Sequence, residues 1–210
     1  MEMLNVVILA SHNAKKTREL RQLLEPLAIG VRSLADFPGA EPPEETGSTF
    51  AGNARIKAAY ALELSGLPAL ADDSGLEVDA LDGAPGVHSA RFAGPDADDA
   101  GNNLLLLEKL AGLPPERRGA RFVSAVTVML PGGVEKTFVG ETRGRMLDSP
   151  RGGNGFGYDP LFLSDDLGLT FAEAGEADKN RVSHRGRAMR EFVEWAGKVR
   201  SRKSYTFRLM

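Results

Sequence analysis

The sequence contains no cysteine in its 210 residues. This absence excludes disulfides, thiol nucleophiles and sulfur-ligated metal sites together. It is compatible with the cytoplasm, which is the location that we expect. Histidine is also scarce, with three residues and no H-x-x-x-H spacing, so a zinc site is not expected.

The sequence also lacks any uniform apolar run of about 20 residues, the length that a membrane-spanning helix needs. Its opening MEMLNVVILA does not have the layout of a signal peptide. The formal net charge is −3, whereas a general polyanion binder is basic. We therefore expect neither a membrane nor a nucleic acid as a partner, and any phosphate must bind in a local pocket.

What the sequence does contain is an alternation of strand and helix signals within an ordinary globular composition, 42% hydrophobic and 26% charged. The predicted elements are a buried strand at 4–10, helices at 13–27 and 49–64 around an acidic, Pro-rich loop at 36–47, a short strand at 67–71, a loop at 82–95, a helix at 98–110, a hairpin of strands 121–130 and 134–145, a Gly-rich segment at 150–159 and a helix at 183–199. This order predicts an α/β fold with a mixed sheet. Because no linker is visible, residues 1–210 are expected to form one domain, and any second lobe is expected to be intertwined with the first.

The segment SHNAKK lies where the first strand meets the first helix. A helix start offers backbone N–H groups and a partial positive charge, and two lysines add to it, so the segment suits phosphate. The alternative is a plain capped helix with solvated lysines. The chain has no G-x-x-x-x-G-K-[ST] loop, so this is not a Walker site. The residues concerned are Ser11, His12, Asn13, Ala14, Lys15 and Lys16.

Two acidic segments, EETG at 44–47 and DDSG at 72–75, supply candidate ligands for Mg²⁺, which prefers carboxylate and phosphate oxygens. The second segment lies where a predicted strand ends, the edge at which ligands collect in α/β sheets. Successive strand residues face opposite ways, so only one of Asp72 and Asp73 is expected to face a given ligand. The alternatives are a solvated loop for the glutamates and a capped turn for DDSG.

A third candidate is GGNGFGYD, residues 152–159, whose glycines allow a close approach of backbone to a ligand. Phe156 and Tyr158 are candidates to lie against a flat base, and Asp159 to accept from base N–H groups. The alternative is a flexible hairpin loop with two packing aromatics.

Lys179 and the Ser183-His184-Arg185 start of the last helix form a fourth candidate. Cations at a helix start suit an anion or a base carbonyl, and the alternative is a capped helix with exposed basic residues. Lys57 lies on the second predicted helix beside Asn53, and the expected environment of its side chain is solvent.

Together these segments resemble one known family, the non-canonical purine NTP pyrophosphatases, also called inosine/xanthosine triphosphate pyrophosphatases or the HAM1-like family. The resemblance extends over residues 6–193, and the order and spacing of five motifs make it specific. These motifs are SHNAKKTREL, EETGSTFAGNARIKA, PALADDSGLEVDALDGAPGVHSARFAG, GGNGFGYDPLF and EADKNRVSHRGRA.

The resemblance implies a long mixed sheet with helices packed around it, two lobes flanking a deep cleft, and usually a homodimer. It implies hydrolysis of ITP, XTP and their deoxy forms to the monophosphate and pyrophosphate, with Mg²⁺ as cofactor. By position it assigns the triphosphate to residues 11–16, the metal to Glu44 and Asp73, and proton acceptance to Asp73. It assigns further substrate contacts to Ser74, Phe156, Gly157, Tyr158, Asp159, Lys179, His184 and Arg185.

The chain departs from the family pattern in two segments. The family commonly opens with Thr-Gly-Asn, where this chain has Ser11-His12-Asn13, and Gly52 stands where Glu is common. Three other functions stay open. They are a non-catalytic nucleotide sensor, a nucleic-acid binder that uses the basic tail at 198–208, and a related enzyme that prefers modified pyrimidine nucleotides.

Overall fold

The computed structural model describes residues 4–206, and the side chains of residues 4–200. The helices are α1 (Ala14–Leu24), α2 (Phe50–Ser65), α3 (Asp99–Lys109), α4 (Glu176–Val182) and α5 (His184–Thr206). The strands are β1 (Val6–Leu9), β2 (Gly30–Ser33), β3 (Ala69–Val78), β4 (Gly119–Leu130), β5 (Val134–Met146) and β6 (Phe162–Ser164). No helix among these residues is both long enough and apolar enough to cross a bilayer.

Within residues 4–206 the strands form one six-stranded sheet in the order β2-β1-β3-β4-β5-β6. Strand β1 pairs in parallel with β2 and with β3, whereas β5 and β6 are antiparallel. The predicted α/β fold with a mixed sheet is therefore confirmed. The deep cleft and the two intertwined lobes stay predictions.

The structure differs from the predicted elements chiefly at β3, which continues to Val78 instead of ending at residue 71. The predicted turn at DDSG is wrong because Leu76 and Val78, two residues apart, are both fully buried and extend the strand into a core. The short strands β2 and β6 and the seven-residue helix α4 are further elements that the pattern did not predict.

The chain divides into two compact units. Among the described residues, the first unit comprises 4–73, 125–138 and 188–206. Alternate residues of β1 enter different cores, since Val7 and Leu9 pack with residues of α1 and α5, whereas Ile8 packs with alanines of α2. Strand β1 is thus buried on both faces, which explains why its sequence is apolar throughout rather than alternating.

The second unit comprises residues 74–124 and 139–187. Its core contains three phenylalanines in contact, with the ring of Phe122 4.7 Å from that of Phe162 and 5.8 Å from that of Phe171. Leu106 of α3 and Val182 of α4 belong to the same core. This core anchors α4, which carries Lys179, and α3, which carries Asp99 and Asn103.

Candidate functional site

Helix α1 begins in the SHNAKK segment, with Ala14 as its first residue and Asn13 as its cap. The Asn13 side chain accepts hydrogen bonds from the N–H groups of Lys15 at 2.9 Å and Lys16 at 3.1 Å. The N–H of Asn13 donates to Ser11 Oγ at 3.1 Å. Two N–H groups expected to face phosphate are therefore already capped, and this helix start offers an anion its partial positive charge and its lysines.

His12 connects this segment to the acidic loop. Its Nε2 lies 3.0 Å from the carbonyl oxygen of Ala40, so this ring nitrogen donates to it. The histidine that stands where the family commonly has glycine thus holds loop 36–47 beside the start of α1.

Asp72 and Asp73 face opposite ways, as their adjacent places on a strand predict. Lys16 Nζ of α1 donates to Asp72 Oδ2 at 2.9 Å, and the Asp72 side chain is only 2% exposed. The Lys16 side chain is one-third exposed, so its ammonium group lies between the buried Asp72 carboxylate and the solvent.

Asp73 faces α2, and that helix holds both of its carboxylate oxygens. Lys57 Nζ donates to Asp73 Oδ1 at 2.9 Å, and Asn53 Nδ2 donates to Oδ2 at 3.2 Å. Because Asn53 and Lys57 are four residues apart, they project from the same side of α2. The orientation of the Asp73 carboxylate is therefore fixed by one rigid element.

Glu45 joins this group from the acidic loop. Lys57 Nζ donates to Glu45 Oε1 at 2.8 Å, and Asn53 Oδ1 accepts the N–H of Gly47 at 2.8 Å, so the loop is held to α2 at two points. The Glu44 side chain is exposed, and its metal role stays a prediction. The carboxylate cluster is the name used below for Lys16, Glu45, Asn53, Lys57, Asp72 and Asp73.

Burial and neighbouring charges shift the pKa values of Asp73 and Lys57 in the carboxylate cluster. Burial raises the pKa of Asp73, and the charge of Lys57 offsets this only in part. Burial lowers the pKa of Lys57, but the charges and hydrogen bonds of Asp73 and Glu45 outweigh it, so its pKa lies above the ordinary value. Lys57 thus stays protonated, while Asp73 has the increased proton affinity that suits a group taking a proton from water.

The donor set of the cluster fits a Mg²⁺ ion. This ion usually takes one or two carboxylates from a protein and completes its shell with phosphate and water oxygens. Asp73 and Glu45 converge on one Nζ, at 2.9 Å and 2.8 Å, so two carboxylates already face a single positive charge. Among the described residues, no three or more His, Cys, Asp or Glu are grouped so as to hold a metal.

Residues 152–159 form a loop wrapped around the Asp159 carboxylate, which is in the second unit. Asp159 Oδ2 accepts the N–H of Phe156 at 2.8 Å and also accepts from Lys179 Nζ. A Cβ at Gly155 would lie 2.1 Å from the same oxygen, so only glycine fits there. The glycines thus permit a tight loop that is ordered from within by one buried carboxylate.

The two aromatic residues of this loop have opposite environments. Phe156 is 74% exposed, whereas Tyr158 is 4% exposed and its hydroxyl donates to the carbonyl of Ser89 at 2.9 Å. Burial raises the pKa of Tyr158. Phe156 can therefore lie against a flat base, while the Tyr158 ring belongs to the core, and substrate contact by Tyr158 stays a prediction.

Lys179 of α4 forms a second buried Asp–Lys pair. Its Nζ contacts Asp159 and lies 4.9 Å from the centre of the Phe156 ring and 5.3 Å from that of Phe171. Burial raises the pKa of Asp159, and the charge of Lys179 offsets this in part. The glycine-loop cluster is the name used below for Phe156, Gly157, Tyr158, Asp159 and Lys179.

The remaining predicted residues lie at element ends or on a strand. Ser183 Oγ accepts the N–H of Gly186 at 3.1 Å, which confirms Ser183 as the cap of α5. The His184 ring stacks on Phe122, with centroids 4.9 Å apart and planes at 13°. Arg185 follows it, half-buried, and Ser74 lies exposed on β3 beside Asp73.

Sequence reasoning left two members of the carboxylate cluster out of the site, namely Asn53 and Lys57, and it named Glu45 only as part of the candidate acidic segment at 44–47. The expectation of a solvated Lys57 is wrong, since its side chain is only 13% exposed and bonds two carboxylates. The four-residue spacing of Asn53 and Lys57 on a predicted helix was the available signal. It could not identify Asp73 as their partner, because a local pattern does not show which side of a helix packs against the strand that follows it.

Comparisons with known proteins agree on one family. The sequence model of the Ham1 family matches residues 7–195. A dITP/XTP pyrophosphatase of Geobacter sulfurreducens is 49% identical over 194 residues, which is 91% of this chain and 98% of that protein. A protein of the same name from Thermus thermophilus is 50% identical over 188 residues, 90% of each chain.

Solved structures give the same result. A HAM1 protein from Coxiella burnetii superposes with a TM-score of 0.87 at 40% identity, over 92% of this chain and 98% of that chain. A nucleoside-triphosphatase, or dITP/XTP pyrophosphatase, from Mycobacterium abscessus gives a TM-score of 0.79 at 46% identity, over 89% and 98%.

Proposed function

This chain belongs to the Ham1 family, and from that premise we propose that it is a nucleoside triphosphate pyrophosphatase. Its substrates are non-canonical purine nucleotides, ITP, XTP and their deoxy forms, which it removes from the nucleotide pool. The observation that carries the proposal is the Asp73 carboxylate, which is 13% exposed, is held at both oxygens by α2, and is accompanied by Lys57 and Glu45.

In the proposed reaction, water attacks the α-phosphorus, the bond from that phosphorus to the bridging oxygen breaks, and pyrophosphate leaves. Asp73 accepts the proton of the attacking water, the role that family resemblance assigns to it, and Lys57 and Asn53 hold its carboxylate in place. Lys57 keeps the Asp73 carboxylate in place and stays cationic, while Lys15 and Lys16 at the start of α1 offset charge on the triphosphate. Phosphoryl transfer depends mainly on such positioning and charge stabilisation.

Mg²⁺ would be held by Asp73 together with an acidic residue of loop 36–47, Glu44 by family resemblance or Glu45 by its contacts. When bound, the ion neutralises phosphate charge and orients phosphate oxygens for the attack. The side chains supply what the ion does not, a proton acceptor and a fixed lysine.

The glycine-loop cluster is proposed to recognise the base. Phe156 offers an exposed ring face, and Lys179, His184 and Arg185 offer donors to a 6-oxo group, which is an acceptor in hypoxanthine and xanthine. Adenine has an amino donor at that position, so a site built from donors mismatches ATP, and mismatched buried hydrogen bonds discriminate strongly. A wall near residues 156–159 that excludes the 2-amino group is proposed to reject GTP.

The decisive experiment is a panel of NTPs incubated with the enzyme and Mg²⁺, scored for pyrophosphate against orthophosphate. We expect pyrophosphate and the monophosphate from ITP and XTP, and loss of activity on chelation with EDTA that added Mg²⁺ restores. Nucleotide binding without any turnover would instead identify a sensor, and preference for pyrimidine nucleotides would identify the related enzyme.

We further propose that the protein acts as a homodimer in the cytoplasm, both by family resemblance. Light scattering of the purified chain measures the first, and fractionation of the source cells measures the second. The rival assignment to nucleic acid depends on the tail at 198–208, of which residues 207–208 lie outside the described residues and the side chains of 201–206 are not described. Strongly salt-dependent oligonucleotide binding would favour it.

A further inference from the structure

Helix α3 holds the loop of residues 152–159, the glycine loop, through two side chains. None of the family motifs assigns these side chains to the substrate. Asp99 Oδ2 accepts the N–H of Gly157 at 2.6 Å, and Asn103 Nδ2 donates to the carbonyl of the same glycine at 2.9 Å. The two residues are one helical turn apart and project from the same side of α3. One helix therefore bonds both the N–H and the carbonyl group of Gly157.

Gly157 is the residue at which such a grip has the largest effect. Its φ is +59°, in the left-handed region, so neighbouring peptides turn sharply there. It also lies between the exposed ring of Phe156 and the buried ring of Tyr158. Fixing both of its peptides therefore fixes the direction in which Phe156 leaves the loop.

The Asn103 side chain has a feature that stability alone does not explain. Its Oδ1 is buried without a hydrogen-bond partner among the described residues. An unsatisfied buried acceptor destabilises a fold. Its neighbour Asn102 is different, since its Oδ1 accepts the N–H of Ala93 at 2.8 Å and its Nδ2 donates to Ala90 at 3.2 Å.

We propose that Asp99 and Asn103 are positioning residues for base recognition, which act by clamping the Gly157 peptides so that the glycine loop presents a single surface to the purine. This inference depends on the proposed function and adds a specificity role to α3. The charge of Asp99 also contributes, after burial, to the raised pKa values of Tyr158 and Asp159, in agreement with its closeness to the loop.

The test compares two pairs of matched variants. Asp99→Ala and Asn103→Leu remove the clamp, whereas Asp98→Ala and Asn102→Leu remove neighbouring bonds of α3 that do not reach Gly157. Asp98 only caps the helix by accepting the N–H of Gly101 at 2.8 Å. We expect the clamp variants to lower kcat/KM for ITP about tenfold, because a small misplacement of recognition groups lowers the rate. The ITP to ATP ratio, which is kcat/KM for ITP divided by kcat/KM for ATP, should fall as well.

The controls are expected to behave in the opposite way. Asn102→Leu loses two satisfied buried bonds and should lower Tm, with an unchanged ITP to ATP ratio. Asn103→Leu removes an unsatisfied acceptor and should leave Tm within a few degrees of the parent. Asp99→Asn keeps a side-chain oxygen that can accept the N–H of Gly157, so its ITP to ATP ratio should stay close to that of the parent.

Two further measurements make the inference independent of folding and of single variants. Amide hydrogen exchange of residues 152–158 should be faster in both clamp variants and unchanged in Asp98→Ala, whatever the activity. The double variant Asp99→Ala, Asn103→Leu should lose little more ITP selectivity than the worse single variant, because both act on one loop.

The outcomes separate the inference from the proposed function. If the parent enzyme releases no pyrophosphate from any NTP, the proposed function fails, and the clamp has no base to select and fails with it. If the parent prefers ITP and the clamp variants exchange faster but keep the parental ITP to ATP ratio, the inference alone is overturned. Unchanged exchange in both clamp variants overturns it as well.

Discussion

The carboxylate cluster and the glycine-loop cluster each contain a buried aspartate paired with a lysine, yet the two are built in different ways. Asp73 lies on strand β3, and Lys57 and Asn53 of helix α2 donate to its carboxylate. These contacts therefore join side chains on regular elements. Asp159 lies on a loop, and besides Lys179 it bonds the backbone of Phe156. Around Asp73 the regular elements position the side chains, whereas around Asp159 a side chain positions the backbone of a loop.

This difference suggests a division of labour. Groups that move protons must be held within a fraction of an ångström, which strands and helices achieve better than loops. A loop shaped by its side chains can instead be altered to change what it admits. Substitutions in the carboxylate cluster should therefore lower turnover of every nucleotide, and substitutions that displace Phe156 or remove a donor to the base should change the ratio between nucleotides.

The largest effect is expected for Asp73→Asn, which keeps the shape of the side chain and removes the proton acceptor. We expect turnover of ITP and of ATP to fall by the same factor, at least about a hundredfold, the low end for loss of acid–base catalysis. The measurement is pyrophosphate release at saturating nucleotide, with folding checked by circular dichroism.

The matched control for Asp73→Asn is Asp72→Asn, on the same strand but facing Lys16. It should cost less, because Asp72 is directed away from Lys57 and Glu45. Near-normal turnover in a folded Asp73→Asn protein, or equal losses at both positions, would contradict the assignment of Asp73.

The second effect concerns the acidic loop and decides between neighbouring glutamates. Glu45→Gln should raise the Mg²⁺ concentration for half-maximal activity about tenfold or more, the scale found when groups supporting a metal are removed. Glu44→Gln should raise it less, since the Glu44 side chain is exposed whereas Glu45 shares Lys57 with Asp73. A Mg²⁺ titration of both variants measures this, and a larger shift for Glu44→Gln would favour the ligand that family resemblance implies.

The same contrast explains how much the sequence could predict. Apolar periodicity and Gly and Pro stop signals predicted helices at 13–27 and 49–64, which the structure places at Ala14–Leu24 and Phe50–Ser65, because these signals are local. The opposite directions of Asp72 and Asp73 also followed from strand geometry. The partners of Asp73 did not, since Asn53 and Lys57 are 20 and 16 residues away and no local pattern reports which strand a helix packs on.

The glycine loop was predictable in composition but not in construction. Its glycines and aromatics were visible as a candidate ligand loop, yet burial separates Phe156 from Tyr158, and sequence alone treated them alike. The clamp was invisible for another reason, since Asn103 lies 54 residues from Gly157. Side chains that hold backbone leave no periodic signal.

A smaller effect, confined to base selection, is expected at the start of α5. Arg185→Ala should reduce ITP hydrolysis more than the slow ATP reaction and narrow their ratio about tenfold, the equivalent of one hydrogen bond. The matched control is Arg187→Ala, two residues along, whose guanidinium bonds the Asp166 carboxylate at 2.8 Å and the Glu141 carbonyl at 3.0 Å. That variant should lose stability and keep the parental ratio. An unchanged ratio in Arg185→Ala would show that base selection does not pass through this residue.

The smallest effect is expected for Tyr158→Phe, which tests whether a residue of the glycine-loop cluster is structural. The Tyr158 hydroxyl donates to the Ser89 carbonyl in a buried setting, so its removal should cost about 1 kcal/mol of unfolding free energy. Urea unfolding measures this loss of unfolding free energy. The ITP to ATP ratio should stay at the parental value, because the ring lies in the core. A variant of full stability with a raised KM for ITP would instead place the Tyr158 hydroxyl against the substrate and would remove the distinction between its ring and that of Phe156.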